Sequence, residues 1–413
     1  MTQDMTPVAL AGPEHEPFGF PMQRDCPFHP PARYETLRAE RPIVPVRVPD
    51  GQVAWLVTRY ADVRALLTDP RVSSDRTHPN LPLTESVTPQ TRRNIAEVGR
   101  SLIGLDRAEH GPQRRMLITE FTLRRAQELR PHIQQTVDRA IDAMLAGPQP
   151  ADLVDALAVP VPSATVTKLL GMPYEDRELI ERAANAQLRQ SVPAQERQET
   201  SAELHAYVDR LISAKEANPT DDVLGRLIRR NRQTPLFDHE MLVGLTMLLL
   251  VAGFETTASM IALGSAWLLS NERERAAIVA DPAAAGPAVE ELLRYFSVVD
   301  ALPRIATDDI EIGGVRIRAG DGILISFASA NWDDAAFADA ATVDIGRNAR
   351  HHVAFGYGIH QCIGQNLARE ELQIVFRTLF TRVPTLRLVG DVAGLPFKND
   401  SNIYGVDRVP VTW

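Results

Sequence analysis

Cysteine is scarce in this sequence, which contains only Cys26 and Cys362 among its 413 residues. Two widely separated thiols argue against a disulfide framework, and the reducing cytosol is the natural location of such a chain. The opening stretch, MTQDMTPVALAGPEHEPF, has neither a basic segment nor a long apolar core. It does not resemble a signal peptide or an anchor, and we expect a cytoplasmic protein.

An excess of positive charge is also lacking. Lys and Arg together number 44, against 53 Asp and Glu, which gives a net charge of −9. Nucleic-acid binding is therefore not expected. Hydrophobic residues make up 44% of the chain and charged residues 23%, ordinary proportions for a globular protein with a sizeable core.

The apolar run Met241–Phe254 is too short to cross a membrane. It has 14 residues without a charge, whereas a spanning helix needs about 20. Glu255 follows at once, and an ionisable side chain there would be costly in lipid. The run predicts a buried core helix with a functional interruption, and no membrane partner is expected.

Helical periodicity dominates the middle of the chain, whereas β-like alternation is limited to short runs near both ends. A continuous helical pattern extends from Pro112 to about Leu145, and the apolar helix continues to Leu269. Residues 43 to 58 predict a hairpin, and Gly322–Ala328 predicts a strand. Residues 73 to 104 have no sustained period and predict a long loop. The expected fold class is mostly α, of the α+β type.

The ten residues FGYGIHQCIG, Phe355–Gly364, carry the strongest chemical signal. Glycines before and after Cys362 permit a tight loop in which backbone can approach a flat ligand. A helical pattern begins beside Cys362, and the N–H groups and dipole of a helix N-terminus stabilise a thiolate. A thiolate of this kind is the electron-donating axial ligand that a haem iron requires.

Two plainer interpretations compete for this segment. The first is a buried free cysteine in a glycine-rich turn. The second is a zinc site made from His351, His352, His360 and Cys362, but no Cys/His spacing typical of zinc proteins is present. The segment resembles the cysteine loop of the cytochrome P-450 family at its Phe, its glycines, its basic residue and its Cys. The resemblance implies haem b, bound at Phe355 and Gly358, with Cys362 as the iron ligand.

A second match lies in the middle of the apolar helix, at AGFETT, Ala252–Thr257. In the family this pattern serves dioxygen activation: Gly253 lets the helix widen, Thr256 hydrogen-bonds near the oxygen, and Glu255 relays protons. The resemblance therefore implies that Thr256 and Glu255 are catalytic. Taken alone, the pattern could equally be a packing irregularity.

Two further groups of residues match the family in the expected chain order. Glu291 and Arg294 share one helix face at spacing i, i+3, and the resemblance implies that Arg347 joins them in a structural trio. His110 and Arg114, in HGPQR, together with Arg304 and His360, match residues that bind the haem propionates. Two buried propionates need cationic or N–H partners, which these distant segments supply.

The resemblance covers nearly the whole chain and is strongest to the soluble actinomycete branch. It implies one domain over residues 1–413, with residues 1–30 largely irregular. One departure is Asn331-Trp332-Asp333, where the family commonly has an arginine between Asn and Asp. That puts one structural contact in doubt, but not the chemistry.

The implied activity is a haem-thiolate monooxygenase that inserts one oxygen atom of O₂, by hydroxylation or epoxidation, into a hydrophobic small molecule. No G-x-G-x-x-G motif follows a strand, so the electrons must come from outside, from a ferredoxin and its reductase. The alternatives are a peroxide-driven peroxygenase and a non-catalytic haem-binding protein of the same fold. The Glu255–Thr256 pair argues against both, since neither needs a proton relay.

The family positions also indicate a substrate pocket and a docking surface. The pocket walls are largely apolar, which favours a natural product such as a polyketide, macrolide or terpenoid. They include the loop 76–100 and the residues Leu248, Leu249, Ala252, Val299, Leu302 and Ile403. Between residues 107 and 130, six arginines outnumber three glutamates, a local surplus that would attract an acidic ferredoxin. Arg115 is the main candidate there, and Arg350 and Arg369 are weaker ones.

Overall fold

The computed structural model describes residues 16–84, 92, 95 and 100–413 of the chain. Helices supply most of this part, as the sequence predicts. Their bounds are α1 (Arg33–Glu40), α2 (Tyr60–Thr68), α3 (Arg107–Ile118), α4 (Leu123–Ala146), α5 (Pro160–Leu170), α6 (Arg177–Leu188), α7 (Ala194–Ala217), α8 (Val223–Gln233), α9 (His239–Ser270), α10 (Glu272–Ala280), α11 (Ala285–Phe296), α12 (Phe327–Ala330) and α13 (Gln365–Arg382).

The strands form one larger sheet and two small ones. Their bounds are β1 (Phe18–Gly19), β2 (Ile43–Arg47), β3 (Val53–Val57), β4 (Val72–Ser73), β5 (Ala151–Asp152), β6 (Ala301–Ala306), β7 (Ile310–Ile312), β8 (Val315–Ile317), β9 (Gly322–Ser326), β10 (Arg387–Leu388) and β11 (Pro410–Thr412). The larger sheet has the order β1-β2-β3-β9-β6-β4. The predicted hairpin β2–β3 is confirmed. Strand β3 also pairs in parallel with β9, so the sheet combines an early and a late part of the chain.

Helix α9 is apolar on nearly every side and packs within the core. Asp238 caps its start, where the carboxylate accepts a hydrogen bond from the Met241 amide at 2.8 Å. Its 32 residues extend about 48 Å at 1.5 Å per residue. The helix is long and apolar enough to cross a membrane, yet 56% of its most apolar window is buried against the rest of the chain. Burial on this scale is what the prediction of a core helix requires.

Helices α9 and α13 cross at very close range. A Cβ atom added to Gly264 would lie only 2.5 Å from Cζ of Phe376, so only glycine permits this approach. Phe376 is fully buried in the same hydrophobic cluster as Ile261, Leu263 and Leu268. This contact fixes α13 against α9, and it thereby fixes the position of Cys362, which lies three residues before α13.

The structure departs from the predicted elements at three places. The continuous helix expected over Pro112 to Leu145 is wrong: it breaks after Ile118 because the Thr122 hydroxyl caps a new helix by accepting from the Arg125 amide. The strand expected to Ala328 ends at Ser326, whose hydroxyl likewise caps α12. The predicted loop 73–104 begins with β4, is irregular over 74–84 and ends in a short turn at Leu102–Gly104, and most of the remainder lies outside the described residues.

Glu371, on α13, is a buried acid with an unsatisfied oxygen. Its Oε1 has no hydrogen-bond partner in the described part of the chain, and burial raises the pKa of the carboxyl to about 8, while a hydrogen bond with Thr165 opposes the shift. The folded protein therefore keeps this group protonated at neutral pH, whereas the unfolded chain ionises it near its ordinary pKa. Glu371 therefore does not reduce the free energy of unfolding in acid. As the pH rises from the ordinary pKa of the carboxyl towards 8, the free energy of unfolding falls.

We expect Glu371→Gln to remove this loss. Between about pH 5 and 8 the free energy of unfolding of the native sequence should fall faster than that of the variant, by about 1.4 kcal/mol per pH unit. Urea midpoints measured across this range check the prediction. Glu311→Gln, at an exposed position of β7, is the control and should follow the native sequence. Parallel curves for Glu371→Gln and the native sequence would contradict the assignment.

Candidate active site

The loop before α13 holds Cys362 through backbone hydrogen bonds. The Cys362 amide donates to the Phe355 carbonyl at 2.7 Å. Gly356 and Gly358 have φ values of 70° and 74°, in the left-handed region that favours glycine. A Cβ atom on Gly358 would also lie 2.6 Å from the carbonyl oxygen of Leu67. The glycines of the motif are therefore required by backbone conformation and by the contact with α2.

The Cys362 thiol lies among groups that favour its charged form. The amides of Gly364 and Gln365, at the start of α13, donate hydrogen bonds to it, and Arg114 and Arg369 act on it as positive charges. Burial nevertheless raises the pKa of the thiol above its usual value. The Cys362 residue is nevertheless accessible, although protein surrounds the thiol closely enough to raise its pKa, as expected of a side chain that lines a cleft. It is positioned to bind a metal that prefers soft ligands.

Four basic side chains from three distant segments gather near this loop. The rings of His110 and His360 lie 4.2 Å apart, with 44° between their planes. Burial, reinforced by nearby arginines, lowers the pKa of His110 to about 4 and that of His360 to about 3. Burial also lowers the pKa of Arg304 to about 10. Bringing these groups together without an anion is unfavourable.

The hydrogen bonding of this cluster is incomplete. Among the described residues, the buried His110 Nε2 and His360 Nε2 have no hydrogen-bond partner. Over the same residues, Arg304 donates only to the adjacent Pro303 carbonyl, at 2.7 Å, and no carboxylate bonds to any of these side chains. Buried donors of this kind require an anionic partner, and two propionates supply one. Together with the thiol, the donor set fits a haem.

Arg114 is placed differently from its three neighbours. Its Nη2 donates to the Gln361 carbonyl at 2.5 Å, and its charge acts on the Cys362 thiol. In the structure it therefore holds the residue that precedes the cysteine. Its other donors remain able to meet a propionate, and that role stays a prediction.

The middle of α9 presents one accessible face. Leu248, Ala252 and Thr256 recur at spacing four, and each is partly or fully exposed, although the flanking helix is buried. The Thr256 hydroxyl donates to the Ala252 carbonyl at 2.9 Å. The helix is unbroken from His239 to Ser270, and the widening expected at Gly253 stays a prediction.

Glu255 lies beside this face and is buried. Lys398 Nζ donates to Glu255 Oε1 at 2.5 Å, and the Ser259 hydroxyl approaches the same oxygen at 3.4 Å. Sequence reasoning missed Lys398, since nothing in its local pattern marks it as a partner for a residue 143 positions earlier.

The expected structural trio is in contact. Arg294 binds both oxygens of Glu291, at 2.7 and 2.8 Å, and neither side chain is accessible. Arg347 Nε reaches Glu291 Oε1 at 3.2 Å. Arg294 also donates to the carbonyls of Asn331 and Ala340. In these contacts the trio joins α11 to the segment that precedes the cysteine loop.

Trp332 occupies the position at which the sequence departs from the family. Its indole N–H donates to the Tyr295 carbonyl at 2.8 Å, and its ring lies 4.8 Å from that of Tyr295 and 5.1 Å from that of His29. Asn331 and Asp333 still hold backbone amides, those of Val353 and Tyr60. The contacts of the Trp332 indole therefore replace the arginine contact that the family commonly makes at this position.

The candidate pocket residues are distributed over several elements. Leu248 and Val299 are partly buried against core clusters, whereas Leu249 belongs to a core cluster and is largely covered. Ile403 is brought close to Val299 by a hydrogen bond from the Tyr404 amide to the Val298 carbonyl, at 2.8 Å. Leu302 lies in β6. Within the expected loop wall 76–100, most residues from 85 to 99 lie outside the described residues.

Comparison with known proteins identifies the family to which this arrangement is similar. The family model for cytochrome P-450 matches residues 287–383. Pentalenic acid synthase of Streptomyces avermitilis is 46% identical over 96% of this chain and 98% of its own length. The 20-oxo-5-O-mycaminosyltylactone 23-monooxygenase of Streptomyces fradiae is 42% identical over 99% of this chain and 97% of its own. The crystal structure of cytochrome P-450 MoxA from Nonomuraea recticatena is 49% identical, with a TM-score of 0.89, and covers 96% of this chain and 98% of its own.

Proposed function

This chain belongs to the cytochrome P-450 family and is a haem b monooxygenase, and from that premise we propose that it hydroxylates or epoxidises a hydrophobic natural product with electrons from a ferredoxin and ferredoxin reductase. Its substrates are O₂ and a small molecule. The observation that carries the proposal is the enclosed Cys362 thiol beside four basic side chains that lack a carboxylate partner among the described residues. When bound, the haem supplies the oxygen chemistry, and a thiolate ligand favours cleavage of the O–O bond.

We assign the side chains of the site the following roles. Cys362 would hold the haem iron through its sulfur, and the residue is itself held by the Phe355 carbonyl and by the N–H groups that begin α13. His110, Arg304 and His360 would donate to the propionates, with Arg114 assisting. Thr256 holds a proton donor in place above the accessible face of α9, and Glu255 takes protons from solvent and passes them on.

The substrate class is inferred from the pocket walls and from the relatives. The walls described are largely apolar, at Leu248, Ala252, Val299 and Ile403, which suits a hydrophobic ligand. One relative is named pentalenic acid synthase, and another is named as a monooxygenase of a mycaminosyltylactone. We expect terpenoids or macrolactones, and not small polar acids, to shift the Soret band of the ferric enzyme from low spin to high spin.

Turnover separates the monooxygenase from its two alternatives. With a compound that shifts the Soret band, a surrogate ferredoxin, its reductase and NAD(P)H should give oxygenated product under air. Product formed with peroxide but not with ferredoxin would favour a peroxygenase. The absence of product under both conditions would favour a haem-binding protein without catalytic function.

We expect Thr256→Ala to uncouple oxygen consumption from product formation. The variant should bind the same compound with a nearly unchanged spectral shift, because Thr256 is only one part of the wall. Without the hydroxyl, proton delivery loses its positioned group, so electrons end as peroxide or water. Product formed per NAD(P)H consumed is the measurement. Thr256→Ser, which keeps the hydroxyl, should retain much of the coupling, and equal coupling in Thr256→Ala and the native enzyme would contradict the role.

Ion pairs engage several of the arginines that are candidates for ferredoxin docking. Arg130 pairs with Glu370, both Arg124 and Arg125 pair with Glu128, and Arg369 is bound by Glu290. Arg115 is exposed and lies one turn before Ile118, itself 43% exposed. Leu123, 54% exposed, begins the next helix. We propose that Arg115 and these two apolar side chains form the ferredoxin docking surface, since exposed apolar groups with nearby positive charge suit an acidic partner.

Arg115→Glu should slow reduction of the enzyme by ferredoxin without moving the substrate-binding spectrum. The steering field decays over about 8 Å at physiological salt, so the native rate should fall as ionic strength rises, and the variant should lose most of this dependence. Stopped-flow measurement of first-electron transfer checks both effects. Arg210→Glu is the matched control, because Arg210 is exposed on α7, which packs on α6, α8 and α9. If neither ionic strength nor Arg115→Glu changed the rate of first-electron transfer, the docking surface would lie elsewhere.

We further propose that residues 1–413 form a single cytoplasmic domain. The two largest core clusters both take residues from α9, one between Leu242 and Ala258 and the other between Met260 and Leu268. A shared central helix is the arrangement expected of one cooperative unit. It also supports α9 as a core helix and not a membrane span.

A further inference from the structure

We propose that Lys398 is a positioning residue for catalysis, which keeps Glu255 ionised and correctly oriented for proton delivery. The inference deepens the proposed function and rests on it, because it concerns the residue to which we assign proton transfer. Lys398 lies outside every motif that marks the family in this sequence. It is identified by its contacts alone.

The ion pair is short and shielded from solvent. Lys398 Nζ lies 2.5 Å from Glu255 Oε1, and the side chains are 11% and 7% exposed. The only other side-chain contact of the carboxylate among the described residues is the Ser259 hydroxyl, at 3.4 Å from the same oxygen. A buried carboxylate keeps its charge only with a paired cation or several hydrogen bonds. Lys398 therefore supplies the paired cation that a carboxylate at this depth requires.

The chain around Lys398 is seated directly on α9. The Lys398 amide donates to the Gly405 carbonyl at 2.9 Å, and Phe397 and Val406 form a bridge beside it. A Cβ atom on Gly405 would lie 2.6 Å from the Ser259 hydroxyl and 3.3 Å from Lys398 Cδ. Glycine at this position lets the loop touch α9 one turn after Glu255. The backbone thereby holds the ammonium group against the carboxylate.

The same loop is anchored at its far side by a second set of charges. Arg189, which follows α6, pairs with Asp400 at 2.9 Å and with Asp407. The Ser191 amide donates to the Asp400 carboxylate at 3.2 Å. These contacts span the segment that runs from Lys398 to Asp407. Lys398 is consequently not a mobile surface lysine that meets Glu255 by chance.

The orientation of the carboxylate follows from this arrangement. Lys398 and Ser259 both approach Oε1, whereas Oε2 makes no hydrogen bond among the described residues. Oε1 is thus held in place and Oε2 is left to accept and release a proton. Without the ammonium group, the buried carboxyl takes up a proton and keeps it, and it no longer exchanges protons as transfer requires.

Infrared spectroscopy of the ferric holoenzyme at pH 7 tests the charge state without any turnover. We expect Lys398→Met to show a carboxylic-acid carbonyl band that is missing from the double variant Lys398→Met/Glu255→Gln. The difference between these two spectra cancels the other acids, including Glu371. Lys398→Arg should lack the band, because it restores a cation. A Lys398→Met spectrum without the band would overturn the proposal, and that result would leave the proposed monooxygenase function untouched.

Coupling then tests whether the pair matters for catalysis. With any compound that gives product, Lys398→Met should lower product per NAD(P)H by about 10-fold or more, as loss of a positioned proton-transfer group does. Lys398→Arg should recover most of the coupling. In a Glu255→Gln background, Lys398→Met should have no further effect, because the lysine acts through the glutamate. An additional loss in that background, or unchanged coupling in Lys398→Met, would overturn the proposal.

Discussion

Burial of a thiol among basic side chains that no carboxylate of the described residues meets is the constraint on which the rest of the site depends. Desolvation penalises the Cys362 thiolate, and it also penalises the charged forms of His110, His360 and Arg304. Each group favours an opposite charge nearby. A haem would satisfy these needs together, since its iron would bind the thiolate and its propionates would accept hydrogen bonds from the basic side chains. The site is therefore electrostatically incomplete as protein alone.

The fold holds these unfavourable groups in place through contacts elsewhere that are fully satisfied. Arg294 and Glu291 are inaccessible, but every charge in that pair is met by a carboxylate, a guanidinium or a backbone carbonyl. Breaking such a pair is typically costly, about 3–5 kcal/mol, because an uncompensated charge remains buried. The close packing of Gly264 on Phe376 acts similarly, by fixing α13 and the cysteine loop against α9.

Much of this arrangement could be predicted from the sequence, because it depends on local patterns. The spacing of glycines around Cys362 encodes the loop, and the long apolar run encodes α9. The break at Thr119–Thr122 was not predictable from periodicity, because a capping hydroxyl ends one helix and starts another without changing the apolar pattern. The parallel pairing of β3 with β9 joins strands about 270 residues apart. No local signal specifies such a pair.

Contacts between distant residues limit the prediction of the site in the same way. The contacts of Lys398 and Trp332 depend on tertiary packing, and no local sequence pattern predicts either of them. Conversely, Arg369 has the sequence context of a surface arginine, yet Glu290 binds it at 2.6 Å. Charge counted along a chain overstates the charge that a surface presents.

The reduced carbon-monoxide complex gives the most direct test of the central claim, that Cys362 is the thiolate ligand of the haem. Thiolate ligation produces a strongly red-shifted Soret band in that complex. We expect the band in the native protein and in Cys26→Ser, which removes the other cysteine. In Cys362→Ser the band should be lost, because an alcohol is a poor substitute for a soft thiolate donor. The same band in Cys362→Ser as in the native protein would contradict the account.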